Sequence, residues 1–394
     1  YPMQEAYIVA GFRTAVTKSK KGGFRFMRSD ELAIELIQGL MKSLPALESK
    51  LIDDVIVGNA VPEAEQGLQF GRIIAAKALG IEVPGITINR YCASGLESIA
   101  MATAKIRTGM ADCIIAGGTE SMSMVPTAGW KTVPAYSIAK DEPDYYLSMG
   151  LTAEAVANEY HVSREDQDAF AFASHQKAMA AQAAGEFNSE IFPVKVAHRS
   201  MNLDKGQVDV QWREFLKDEG PRVDTSLEGL AKLKSPFAAK GTVTAGNSSQ
   251  TSDGVGALIL ASEKAIKTFG LTPLARFVSF AVKGVAPEIM GIGPKEAIPA
   301  ALKLAGLNLQ DMDWIELNEA FAAQSLAVMK TLGIDPSIVN VNGGAIALGH
   351  PLGCSGAKLS IQLFDEMKRR NQKYGMVTAC VGGGQGVAGI YERL

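Results

Sequence analysis

Two stretches of the chain repeat the same order of apolar and polar positions. Residues 51–59, Leu-Ile-Asp-Asp-Val-Ile-Val-Gly-Asn, and 309–318, Leu-Gln-Asp-Met-Asp-Trp-Ile-Glu-Leu-Asn, each read as an apolar strand ending on an asparagine, Asn59 or Asn318. A helical pattern follows in both and closes on Leu-Gly-Ile, at 79–81 and at 332–334. A second strand is predicted next, over 85–90 and over 337–342. Each copy then has a helix of small residues opening near a cysteine, Cys92-Ala-Ser-Gly or Cys354-Ser-Gly, and a last strand running into glycines, at 114–118 and 376–383. Strands alternating with helices predict an α/β architecture with largely parallel sheets. The offset between copies is 259 from Asn59 to Asn318 and 253 from Leu79 to Leu332, which predicts a duplicated fold.

The stretch between the copies reads differently. Residues 121–241 carry Pro126, Pro134, Pro143, Pro193, Pro221 and Pro236, and a polar amphipathic helix from Ser163 to Gly185. That helix opens on the capping pattern Ser163-Arg-Glu-Asp166. An insertion of this size predicts a lid or a binding surface. The expected organisation is a first half of 1–120 plus 242–268, a lid of 121–241 and a second half of 269–394.

Composition narrows the function classes. The 394 residues are 47% hydrophobic and 21% charged, and mean hydropathy is +0.08, which excludes intrinsic disorder. A net charge of −3 leaves no basic footprint for nucleic acid. Four cysteines over this length make no disulfide framework. Tyr1-Pro2 ahead of Met3 resembles a tag, and no secretory signal is visible. The longest run free of charged residues, 336–357, is broken by Pro336, Pro351 and five glycines, so it predicts a buried or site-lining segment and not a membrane span. The ending Glu392-Arg393-Leu394 has Glu392 where a peroxisomal address needs another residue type; a cytoplasmic location is expected. Ten of the forty glycines lie within 341–356 and 382–389, where backbone is expected to approach a ligand closely.

The candidate chemistry sits at strand ends. Cys92 stands between an apolar strand and a small-residue helix, where the helix dipole is expected to lower its pKa; the alternative is a core cysteine. His350 lies between Gly349 and Pro351, in a shaped loop. Its spacing to Cys354 does not make a zinc pair, since Pro351 and Gly353 break the helix. Cys380 enters a glycine nest able to hold an oxyanion. Gly384, Gly386 and Gly389 match G-x-G-x-x-G, but only five residues follow, too few for a dinucleotide fold. Asn318 reads as a helix cap or a site residue, with Glu319 able to orient it. Cysteine with histidine proposes nucleophilic acyl transfer, and a second cysteine suits proton transfer at carbon.

These motifs together resemble the thiolases along almost the whole chain. The matching pieces are Asn89-Arg-Tyr-Cys92-Ala-Ser-Gly-Leu, Ala116-Gly-Gly-Thr-Glu-Ser-Met, Met149-Gly-Leu-Thr-Ala-Glu154, Gly241-Thr-Val-Thr-Ala-Gly-Asn247, Asn318-Glu-Ala-Phe, Gly343-Gly-Ala-Ile-Ala-Leu-Gly-His350-Pro and Cys380-Val-Gly-Gly-Gly384. The resemblance implies duplicated βαβαβαββ halves stacked in α/β/α/β/α layers, with a long lid insertion. It implies that Cys92 attacks the 3-keto carbon of a 3-ketoacyl-CoA, that His350 takes its proton, and that Cys380 protonates the acetyl-CoA enolate. Asn318, through a water, and His350 would hold the enolate oxygen; the N–H groups of Cys92 and Gly382 would hold the tetrahedral oxygen. Coenzyme A would be a co-substrate, with no tightly bound cofactor and no metal. Ser249 and Met149 would lie near the pantetheine and Arg222 toward the nucleotide end.

Two departures lean toward a degradative member. Ser148 stands where biosynthetic members have histidine, and Thr244-Ala-Gly-Asn-Ser-Ser-Gln250 replaces their Asn-Ala-Ser-Gly. Gly229 stands where some relatives have a CoA-contacting serine. The alternatives are a biosynthetic acetoacetyl-CoA thiolase and a non-catalytic acyl-CoA-binding relative. A homodimer or homotetramer and a hydratase/dehydrogenase partner subunit are further implications of the resemblance.

Overall fold

A computed structural model describes residues 3–394. The first half supplies β1 (Ala6–Arg13), β2 (Thr17–Lys18), α1 (Ser29–Lys42), β3 (Asp54–Gly58), α2 (Phe70–Leu79), β4 (Gly85–Ile88), α3 (Ser94–Arg107) and β5 (Cys113–Ser121). Between β5 and the return of the sheet lie α4 (Tyr136–Asp141), α5 (Met149–Glu159), α6 (Arg164–Ala184), the ribbon β6 (Val194–Asn202) and β7 (Gln207–Phe215), and α7 (Leu227–Ala231). The chain continues as β8 (Ser252–Ser262), α8 (Glu263–Phe269), β9 (Ala275–Gly284), α9 (Gly293–Ala305), β10 (Trp314–Leu317), α10 (Ala322–Leu332), α11 (Ala345–Leu348), α12 (Ser355–Arg369), β11 (Tyr374–Val381) and β12 (Gln385–Arg393).

The sheet order β10-β11-β12-β9-β1-β8-β5-β3-β4 makes the duplication visible. In each half a parallel pair, β3 with β5 or β10 with β11, is followed by an antiparallel neighbour, β8 or β12. The halves join where β1 pairs with β9 through Tyr7 and Ile8. They also share one interior: Ile8, Leu96 and Leu258 pack in the same cluster as Trp314, Leu359 and Tyr391.

One predicted element is absent. The strand expected over 337–342 shrinks to a single bridge between Val339 and Ile315. Pro336 opens a turn there, and Asn340 adopts φ +45°. The Asn340 side chain takes the place of strand backbone: its Nδ2 donates to the Leu317 carbonyl (2.7 Å) and its Oδ1 accepts from the Leu317 N–H (2.9 Å). An amide side chain offers the same donor and acceptor as a peptide, so the outer edge of β10 is capped without a further strand.

The central helices α3 and α12 meet almost backbone to backbone. A Cβ on Gly95 would lie 2.7 Å from the Ala357 nitrogen, and one on Gly118 would strike the Gly353 carbonyl. Only glycine permits this approach. The long insertion helix α6 begins as its sequence predicts, with Ser163 Oγ accepting from the Asp166 N–H and Gly185 closing it at φ +75°. The insertion is anchored by a buried ionic cluster. Arg13 of β1 donates to Glu190 (2.7 Å) and in bidentate fashion to Asp218 (2.8 and 2.9 Å), with all three side chains withdrawn from solvent.

Candidate active site

Cys92 sits in a tight turn just ahead of α3, whose N-cap is Ala93. Its sulfur faces the backbone N–H of Gly382, in the turn after β11, and its own N–H. The helix-dipole expectation is overturned: burial pushes the Cys92 thiol up to about 11, against which those two N–H groups pull only weakly. Desolvation of a thiolate outweighs the helix dipole when water is excluded. Burial raises the pKa of Cys380, and the nearby Cys92 sulfur raises it further. Around it pack Met149, Met290, Ala320 and Phe321. A methyl group on Gly382 would stand 3.5 Å from Met149 Sδ and 3.5 Å from the Tyr91 ring, which places Met149 beside Gly382 as well as Cys380.

His350 is held by backbone and ring alike. Its N–H donates to the Gln250 carbonyl (3.0 Å). Nδ1 meets Ser355 Oγ at 2.5 Å and Nε2 meets Asn318 Nδ2 at 3.4 Å. Both ring nitrogens are therefore engaged, and no hydrogen bond joins His350 to Cys92. Burial, then the positive charge of Lys358, lowers its pKa to about 4, so the ring is neutral at pH 7. Asn318 is not a helix cap, since α10 opens at Phe321; its carbonyl accepts from Gln324 (3.1 Å) and its N–H donates to Thr378 (2.9 Å). Glu319 orients other groups instead, accepting from Ser174 (2.7 Å), Asn340 (3.1 Å) and the Ile346 N–H (3.2 Å).

Glu120, at the end of β5, ties the halves together beneath the sulfurs. Its carboxylate accepts from the N–H groups of Ala60 (2.8 Å) and Gly353 (2.9 Å) and from Gln66 (2.7 Å). Burial raises its pKa, and those donors counter it. Sequence reasoning passed over Glu120 and Ser355, although a carboxylate closing an apolar strand and a serine five residues past a glycine-flanked histidine were signals for both.

A cavity of about 760 Å³ opens among Lys18, Lys21, His175, Arg222, Gly229 and Gln250. Arg222 and Gly229 thus fall on its wall, while Ser249 does not line it and donates its N–H to the Ala320 carbonyl (2.9 Å). Gln250 links cavity and histidine, because its carbonyl receives the His350 N–H while its Nε2 donates to Gly220 (3.0 Å) and Ile346 (3.0 Å). The structure therefore gathers Cys92, Cys380, Gly382 and Met149 in one buried group and His350 with Asn318 in another, with a cationic cavity beside Gln250.

The models of the thiolase N-terminal and C-terminal domains match residues 6–264 and 271–393. The chain belongs to the thiolase family. It is 54% identical over 391 residues to a 3-ketoacyl-CoA thiolase of Bacillus subtilis (strain 168), covering 99% of this chain and 100% of that protein. Among solved structures it resembles the Bacillus anthracis acetyl-CoA acetyltransferase at a TM-score of 0.89 and 37% identity. Human mitochondrial 3-ketoacyl-CoA thiolase aligns at 0.88 and 39%. Both alignments span 100% of each chain, so this thiolase has the family fold throughout.

Proposed function

We propose that this thiolase cleaves 3-ketoacyl-CoA with a second CoA, giving acetyl-CoA and a shortened acyl-CoA. The observation that carries the reading is the convergence of the Gly382 and Cys92 N–H groups on the Cys92 sulfur, with Cys380 alongside. In the first step Cys92 attacks the 3-keto carbon as its proton passes to His350 Nε2. The two N–H groups stabilise the oxygen that becomes negative. The bond between C2 and C3 then breaks, its electron pair moving into the acetyl-CoA enolate, and the Cys380 thiol donates a proton to C2. Acyl-Cys92 is finally attacked by CoA sulfur, whose proton goes to the Cys380 thiolate, and Cys92 leaves to recover its own from His350.

Two neutral thiols and a neutral imidazole suit this sequence, because no charge is buried until substrate provides the oxygen to carry it. Lys18, Lys21 and Arg222 would meet the phosphates of CoA in the cavity. Ser148 begins α5 directly before Met149, and this small side chain supports the degradative reading over an acetoacetyl-CoA specialist. The proposal extends to a homodimer or a pair of dimers formed on β4, the end strand of the sheet, where Ile86 is 41% exposed and Tyr91 47%. A cytoplasmic setting and a hydratase/dehydrogenase partner belong to the same proposal.

The test is thiolysis over a chain-length series, combined with mass spectrometry of the enzyme mixed with 3-ketoacyl-CoA. An acyl adduct on Cys92, and turnover on substrates longer than four carbons, are expected. Unimpaired turnover by Cys92→Ser would refute the nucleophile assignment, and activity confined to the four-carbon substrate would refute the degradative one.

A further inference from the structure

Around His350 the hydrogen bonds run in one consistent direction. The Pro351 carbonyl accepts from the N–H groups of Cys354 (2.9 Å) and Ser355 (3.0 Å) and lies 3.1 Å from Ser355 Oγ. If the serine hydroxyl donates to that carbonyl, its lone pair faces His350 Nδ1 at 2.5 Å and must meet a hydrogen there. His350 Nε2 is then bare and accepts from Asn318 Nδ2 at 3.4 Å. The reverse tautomer would point an Nε2–H at the Asn318 amide hydrogens, setting donor against donor. The ring is 4% exposed, so a donor set against a donor there would be costly.

We infer that Ser355 is a positioning residue that holds His350 as the Nδ1–H tautomer, so that the Nε2 lone pair is the base presented to the site. This rests on the reading of His350 Nε2 as the base and adds what holds the ring in the tautomer that leaves Nε2 free. Ser355 also explains why the ring keeps one orientation: as the first residue of α12 its backbone is fixed, and its own N–H is tied to the Pro351 carbonyl. The charge that faces the ring is Lys358, one turn along the same helix.

The experiment uses the full chain labelled with ¹⁵N-histidine; the His350 resonances are assigned by their loss in His350→Gln. At pH 7 a pyrrole-like shift at Nδ1 and a pyridine-like shift at Nε2 are expected. Ser355→Ala leaves Pro351 its two N–H donors, so it should fold. It is expected to move those shifts toward a tautomer mixture and to lower kcat at least about tenfold, with the KM for CoA nearly unchanged. A pyridine-like Nδ1 in the native protein overturns the inference. So does Ser355→Ala with native shifts and native kcat. Should Ser355→Ala fail to fold, the native spectrum decides alone. Full turnover by His350→Gln would instead remove the base assignment on which the inference rests, and the spectrum separates the two failures.

Discussion

Gly353 offers a direct test of how tightly the two halves register their catalytic groups. It lies three residues past His350, and its N–H is bound by Glu120. A Cβ at this position would fall 2.8 Å from Asn59 Cα, 2.8 Å from Glu120 Oε2 and 2.9 Å from the Gly58 carbonyl oxygen. Ordinary contact begins at 3.4 Å, so in Gly353→Ala the loop must retreat by about 0.6 Å. Two of the three obstacles are backbone and cannot swing aside. If 1 Å of misplacement costs about 10² in rate, a retreat of this size predicts roughly a tenfold to twentyfold fall in kcat/KM. Overpacking should also cost about 1–3 kcal/mol of stability, more than the ~0.4–1 kcal/mol that Gly→Ala returns through the unfolded chain. Gly284→Ala is the control, since its Cβ would have nothing nearer than 4.0 Å. Steady-state thiolysis and thermal unfolding measure both effects. Gly353→Ala with kcat/KM within threefold of the native value and an undiminished melting temperature would refute the argument.

Further outcomes follow from the same site. Because burial holds the Cys92 thiol at about 11, its alkylation by iodoacetamide should rise about tenfold per pH unit from 7 to 10; a plateau starting below pH 8 contradicts this. His350 is lowered to about 4, so the base stays unprotonated as pH falls through 6.5. The acid limb of kcat/KM should therefore lie near 4, and an inflection near 6.5 would oppose it. Lys18→Ala with Lys21→Ala is expected to raise the KM for CoA several-fold, most at low salt, while leaving kcat almost unchanged. Asn340→Ala strips both bonds from the Leu317 peptide and should cost about 1–3 kcal/mol, read as a lower melting temperature, together with lower activity as Asn318 loosens.

Where the sequence was legible, local rules and burial agreed. The repeat of strand, helix and glycine cap places β3 with α2 and β10 with α10, and the paired cysteine-serine-glycine runs mark the helices α3 and α12. Ser163 and Gly185 bound α6 because capping chemistry is local. Residues 337–342 misled because Ile338, Val339 and Val341 look like a strand, whereas the decisive group is the side chain of Asn340 bonding across to Leu317. The Cys92 environment misled in the same way. A turn before a helix is visible in sequence, but the depth of burial that reverses its effect is set by neighbours distant in sequence, Ala60, Met122 and Leu352 among them. Ser355 and Glu120 went unread because their roles depend on His350 and Gly353, which only the fold brings within reach.

The shared interior of the two halves has a consequence for folding. Each copy has a core cluster of its own, but a third is shared: Leu96 and Leu258 from one are covered by Trp314, Leu359 and Tyr391 from the other, and α3 rests directly on α12. The junction of β1 with β9 runs the sheet unbroken from one end to the other. Loss of either half would expose the apolar faces of both and leave two raw strand edges, each prone to aggregate. The duplicated chain is therefore expected to melt as a single cooperative unit, and two separate calorimetric transitions would contradict this reading of the shared interior. On that expectation, cutting the chain between β8 and β9 would strip both products of the interior they share.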